Sequence, residues 1–159
     1  MYFSSRGDKP YTSSEAILKG LADDGGLFIL KPLNKICFDE SWLKLDYKGI
    51  AFNVLKHFFE DFSSDEIVEV IDKAYCVENF SDGIFKLKSF DDHTYLELYH
   101  GPTLAFKDMA LTMLPHLMEV ANRKINYAKK LVILTATSGD TGGAALSGFS
   151  KSSNIKLNC

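Results

Sequence analysis

Along the first half of the chain, apolar positions recur mostly at helical rather than alternating spacing. Thr12 and Glu15 stand three residues apart, the spacing of a capping box in which each side chain serves a backbone N–H of the other residue. The helix they open carries Ile17, Leu18 and Leu21 on one face, and Asp24-Gly25-Gly26 is expected to stop it. Leu27-Phe28-Ile29-Leu30 reads as a brief apolar strand ended by Pro32. Between residues 48 and 60, Ile50, Phe52, Val54, Leu55, Phe58 and Phe59 fall at helix-like spacings. Ser63 with Glu66 forms a second capping box ahead of Ile67, Val68, Val70 and Ile71. Residues 1–80 therefore read as a mostly helical domain without obvious chemistry.

The pattern changes near Ser81-Asp82-Gly83. Tyr95-Leu96-Glu97-Leu98-Tyr99 alternates and is rich in aromatics, as a strand does. His100-Gly101-Pro102-Thr103 is a turn, and a helical pattern follows through Phe106, Ala110, Leu114, Leu117 and Ala121. Pro115 lies inside that pattern and must kink or split it, because its ring removes an N–H and crowds the preceding turn. Leu131-Val132-Ile133-Leu134 carries the signal of a buried strand, and a Gly-rich turn over residues 135–143 leads into Ala144-Ala145-Leu146. Ile155-Lys156-Leu157 starts a further strand. Strand, tight loop and helix form one arm of a parallel α/β unit, whose loop faces the ligand side of the sheet. Residues 81–159 thus read as the beginning of an α/β domain.

Composition narrows the function classes. The 159 residues are 46% hydrophobic and 25% charged with a net charge of −3, which is ordinary for a folded globular chain. A mildly acidic balance disfavours nucleic-acid binding. No apolar run reaches the roughly 18 residues of a membrane span, and the start Met1-Tyr2-Phe3-Ser4-Ser5-Arg6-Gly7 has no signal-peptide pattern, so a cytoplasmic location is expected. Cys37, Cys76 and Cys159 are widely spaced and read as reduced thiols, and His57, His93, His100 and His116 lack metal-ligand spacing.

Two segments could carry chemistry. In Ser138-Gly139-Asp140-Thr141-Gly142, glycines let backbone N–H groups converge, hydroxyls add donors, and a following helix start adds partial positive charge; such a loop can grip a carboxylate or phosphate. The same residues also suit a plain βα turn with Thr141 as the cap. It is not a phosphate-binding loop of the G-x-x-x-x-G-K type. Lys107 stands between Phe106 and Asp108 near an expected helix start. The positive helix end and an apolar wall would free its amine for Schiff-base chemistry; the alternative is a solvated lysine.

The motifs together resemble one family. Leu96-Glu97-Leu98-Tyr99-His100-Gly101-Pro102-Thr103-Leu104-Ala105-Phe106-Lys107-Asp108 resembles the pyridoxal-phosphate lysine segment of the threonine synthases. Thr135-Ala136-Thr137-Ser138-Gly139-Asp140-Thr141-Gly142 resembles their substrate loop. Tyr2-Phe3-Ser4-Ser5-Arg6-Gly7 and Ala22-Asp23-Asp24-Gly25-Gly26-Leu27-Phe28 are similar to their N-terminal domain. The resemblance implies an α/β architecture: a threonine-synthase-type N-terminal domain over 1–80, then over 81–159 the truncated start of a fold-type II, tryptophan-synthase-β-like three-layer domain. It implies pyridoxal 5′-phosphate as cofactor and conversion of O-phospho-L-homoserine and water to L-threonine and phosphate. Lys107 would hold the cofactor and shuttle protons, with Phe106 and Asp140 beside it. Ser138, Gly139, Asp140 and Thr141 would embrace the substrate carboxylate. The cofactor's phosphate loop and the partner of its ring nitrogen would belong to later parts of the family's sequence. Two alternatives are a related phospholyase acting on another phosphorylated substrate and a non-catalytic interaction module; only a competent pocket would hold the cofactor.

Overall fold

The computed structural model describes residues 1–127, 130–152 and 155–158. Cys159 lies outside them. The chain forms two compact units, one from Met1–Ile71 and Leu117–Ala128, the other from Asp72–His116 and Lys129–Cys159.

In the first unit, β1 (Tyr2–Ser4) is the centre of an antiparallel sheet flanked by β2 (Pro10–Tyr11) and β3 (Phe28–Leu30), with Tyr2 opposite both Tyr11 and Leu30. The helix α1 (Ser13–Lys19) has the expected capping box: Thr12 Oγ1 accepts the Glu15 N–H at 3.1 Å, and Glu15 Oε2 accepts the Thr12 N–H at 2.8 Å. It stops earlier than the spacing predicts. Gly20, with φ of 73°, ends it by donating its N–H to Ala16 O, and Asp24-Gly25-Gly26 forms a separate turn closed by Leu21 pairing with Leu27. Gly20 wins because a residue without Cβ takes the left-handed conformation at little cost.

A short 3-10 turn over Glu40–Lys44 precedes α2 (Tyr47–Phe58), whose N-cap Asp46 accepts the Gly49 N–H at 2.9 Å. The next helix, α3 (Ser64–Ala74), opens on the second capping box, Ser63 with Glu66. Its apolar face supplies buried Ile67, Val70 and Ile71, and Leu117, Met118, Val120 and Ala121 are buried in the same unit. Arg123 and Lys124 pair with Glu69 and Glu66 at 2.8 and 3.0 Å.

The second unit contains a hairpin of β4 (Lys86–Phe90) and β5 (His93–Glu97), turning at Asp91, whose φ is 50°. The expected long helix is split, as Pro115 requires. α4 (Asp108–Leu111) ends four residues before Pro115, and α5 (Leu114–Ile125) carries Pro115 in its first turn, where a missing N–H costs nothing. The strand β6 (Leu131–Leu134), the helix α6 (Asp140–Phe149) and the strand β7 (Ile155–Asn158) form a parallel βαβ unit, with Leu131 opposite Ile155. Leu131, Ile155, Ala144, Ala145 and Phe149 are buried. The strand β6 is not buried on both faces, as its apolar run predicts, since Val132 and Leu134 are 60% and 82% exposed. Side chains alternate across a strand, and among the described residues only one face of this pair is covered.

Candidate active site

The turn between β5 and α4 places Lys107, and the loop between β6 and α6 places residues 135–139 opposite it. Lys107 takes the N-cap position of α4, and its side chain is 29% exposed. Its Nζ lies 3.9 Å from Asp140 Oδ2 and 4.5 Å from the centroid of the Phe106 ring. The adjacent Phe106 and Lys107 thus share one surface with Asp140, which lies far along the chain. The expected apolar wall that disfavours the ammonium is not found. Phe106 is 62% exposed, and both neighbours attract a cation.

Ser138, Gly139 and Asp140 are exposed at the start of α6, and Thr141 is half-buried. Gly139 is the N-cap with φ of 150° and supplies no side-chain bond, so Thr141 is not the cap that the plain-turn reading required. The hydroxyl that closes the loop belongs to Thr137, which accepts the N–H groups of Gly139 at 3.0 Å and Gly142 at 3.3 Å. Thr137 is not among the residues singled out from the sequence, although it stands three residues before the first helical residue, the usual reach of a hydroxyl acceptor. Asp140 sits in the first turn of a ten-residue helix, where its charge complements the helix dipole.

In the same unit, His100 stacks on Tyr99 with ring centroids 4.8 Å apart, and its Nε2 lies 3.4 Å from Glu97 Oε2. A bond from Lys88 holds the Glu97 carboxyl below the ordinary carboxylate range, and the same carboxylate raises the Lys88 ammonium. Asp108, immediately after Lys107, is 1% exposed and accepts both the N–H and the hydroxyl of Thr103, at 2.8 and 2.7 Å. A cleft of about 510 Å³ in the same unit, lined by Asp72, Cys76, Thr112, His116, Gly148 and Lys151 among others, does not include Lys107 or the 138–141 loop.

Fold and site together define an α/β protein in which a strand-to-helix Gly loop faces a turn-borne lysine. Residues 1–75 match the family model for the threonine synthase N terminus. The chain is 37% identical to threonine synthase of Pseudomonas aeruginosa over 98% of its own length and 34% of that protein's. It is 35% identical to threonine synthase of Schizosaccharomyces pombe over 98% of itself and 32% of the relative. In backbone it superposes on PLP-bound threonine synthase from Brucella melitensis with a TM-score of 0.82, at 34% identity over 98% of this chain and 34% of the other. The yeast threonine synthase structure gives the same TM-score at 32% identity, with the same coverage. Over this span the chain is similar to the threonine synthases, and it spans about a third of the length of these relatives.

Proposed function

We propose that residues 1–159 are the part of a pyridoxal-phosphate-dependent threonine synthase that supplies the cofactor lysine and the substrate loop. The reaction would convert O-phospho-L-homoserine and water to L-threonine and phosphate, by a cytoplasmic enzyme whose catalytic domain is of fold-type II. The observation that carries this reading is the meeting of Lys107 with the α6 loop, 3.9 Å from Nζ to Asp140 Oδ2. An accessible primary amine beside convergent hydroxyl and backbone donors is a donor set that fits the aldehyde end of pyridoxal phosphate and a substrate carboxylate.

When bound, that cofactor supplies the electron sink for carbanions next to the substrate nitrogen. The protein's residues do the rest. Lys107 Nζ would hold the aldehyde carbon, and as a free amine it would move protons on the substrate carbons. Asp140 stands close enough to Nζ to hold it when protonated. The Ser138 and Thr141 hydroxyls, with the N–H groups at the start of α6, bind the substrate carboxylate and fix the reacting bonds relative to Nζ. Phe106 gives the site an aromatic edge. The net charge of −3 and the lack of any helix long and apolar enough to cross a membrane among the described residues support a small-molecule substrate over nucleic acid or lipid.

Loading the chain with pyridoxal phosphate, reducing it with borohydride and mapping the peptides tests this reading. The adduct is expected on Lys107, and Lys107→Ala should abolish it. An adduct confined to Lys88, Lys124 or Lys151 overturns the assignment. A chimera in which residues 1–159 replace the matching third of the Pseudomonas relative should form threonine from O-phosphohomoserine and lose that activity with Lys107→Ala.

A further inference from the structure

We infer that Asp108 is a positioning residue that sets where the Lys107 amine points, acting through Thr103; the inference rests on the role proposed for Lys107. The segment from Thr103 to Asp108 is closed at its two ends by one side chain. Asp108 Oδ2 accepts the Thr103 N–H at 2.8 Å, and Oδ1 accepts the Thr103 hydroxyl at 2.7 Å. The residues in between are otherwise held by backbone bonds, such as Leu104 N–H to Gly101 O at 3.2 Å and Asp108 N–H to Ala105 O at 3.0 Å, while their large side chains add little, Leu104 being 74% exposed and Phe106 62%. Leu104 also has φ of 59°, a left-handed conformation that a leucine does not choose and that persists only where its surroundings impose it.

Asp108 is itself fixed from several directions. It is 1% exposed, its carbonyl accepts the Thr112 hydroxyl at 2.7 Å, and Tyr75 donates its hydroxyl to the Met109 carbonyl at 2.8 Å. On the other side, a Cβ at Gly101 would come within 2.5 Å of Asp108 Cβ, so only glycine lets the end of the hairpin approach this closely. Both carboxyl oxygens are turned to Thr103, while the Lys107 ammonium faces Asp140 instead. Asp108 therefore acts on the lysine by holding the turn, not by pairing with its charge. A hydrogen-bonded support of this kind makes a flexible amine arrive in one place.

The test compares Lys107 with lysines elsewhere in the same unit. The full chain is treated with pyridoxal phosphate, reduced with borohydride, and the adduct at Lys107 is expressed as a ratio to adducts at Lys88 and Lys151. The same ratio is read with acetic anhydride as a small amine probe across pH. Asp108→Asn and Thr103→Val should lower the pyridoxal ratio by about tenfold, because an orienting bond is lost, whereas Thr103→Ser should stay within about twofold of the unsubstituted chain. A general loosening of the unit would move all three lysines together and leave the ratio unchanged. If Asp108→Asn does not fold, Thr103→Val decides, since it keeps side-chain volume and the carboxyl. A Thr103→Val ratio within twofold of the unsubstituted chain overturns the inference while leaving the role of Lys107 standing. No Lys107 adduct in the unsubstituted chain overturns both.

Discussion

Glu66 shows how a single residue can serve two structures at once. Its carboxylate accepts the Ser63 N–H at the start of α3 and also faces Lys124 Nζ at 3.0 Å. Burial pushes its carboxyl up, but the Ser63 and Lys124 bonds outweigh burial and leave it below the ordinary glutamate value. A depressed folded pKa contributes stability above about 4.5, the unfolded value, and loses it as pH falls through the folded one. Glu66→Gln keeps an acceptor for the Ser63 N–H but loses the charge facing Lys124, so it should cost about 0.5 kcal/mol near neutral pH and little at acid pH, where urea melts of the two proteins should converge. Thr137 has a comparable part at the candidate site. Thr137→Val should remove the acceptor of two loop N–H groups, cost about 1 kcal/mol, and speed hydrogen exchange at Gly139 and Gly142. The capping residues were legible in the sequence because their partners lie three residues away. The Lys107–Asp140 approach was not, because only the tertiary fold brings those segments together; the family motifs named both residues without giving their distance.

Among the elements, the helices were easier to read than the strands. α1 and α3 follow local caps and helical spacing, whereas β1 and β2, at three and two residues, are too short to show alternation. The break between α4 and α5 was legible from Pro115 alone, but the way the break is packed was not. Leu111 lies four residues before Pro115, whose nitrogen cannot donate to the Leu111 carbonyl. That carbonyl lies against Gly148 of α6, where an added Cβ would come within 2.1 Å of the oxygen and 3.7 Å of Pro115 Cγ. Gly148→Ala gains up to about 1 kcal/mol of helix propensity, but the overlap with a fixed backbone oxygen outweighs it. The expected result is a net loss of about 2 kcal/mol in chemical denaturation, with α6 separating from α4 before β6 and β7 part.

At the scale of the whole molecule, both units expose apolar side chains: Leu27, Leu33, Phe38 and Leu43 in the first, and Leu87, Phe90, Leu104, Phe106, Val132 and Leu134 in the second, are each at least 60% exposed. Residues 1–159 expressed alone should therefore bind an apolar dye such as anilinonaphthalene sulfonate, and Leu134→Glu should lower the signal without changing far-UV circular dichroism. The chain's order adds a constraint of a different kind, because the first unit is not one continuous stretch: Met1–Ile71 is completed by Leu117–Ala128. Glu69 and Glu66 meet partners 54 and 58 residues later in the chain. A ribosome adding about 5–20 residues per second needs roughly 3 to 12 s to bridge that interval. During that time α3 has its own cap but none of the α5 side chains that complete its unit, and the apolar stripe of Ile67, Val70 and Ile71 is available to chaperones. Slowing translation between residues 72 and 116 should lengthen that exposure, and synonymous codon choice there becomes a determinant of yield.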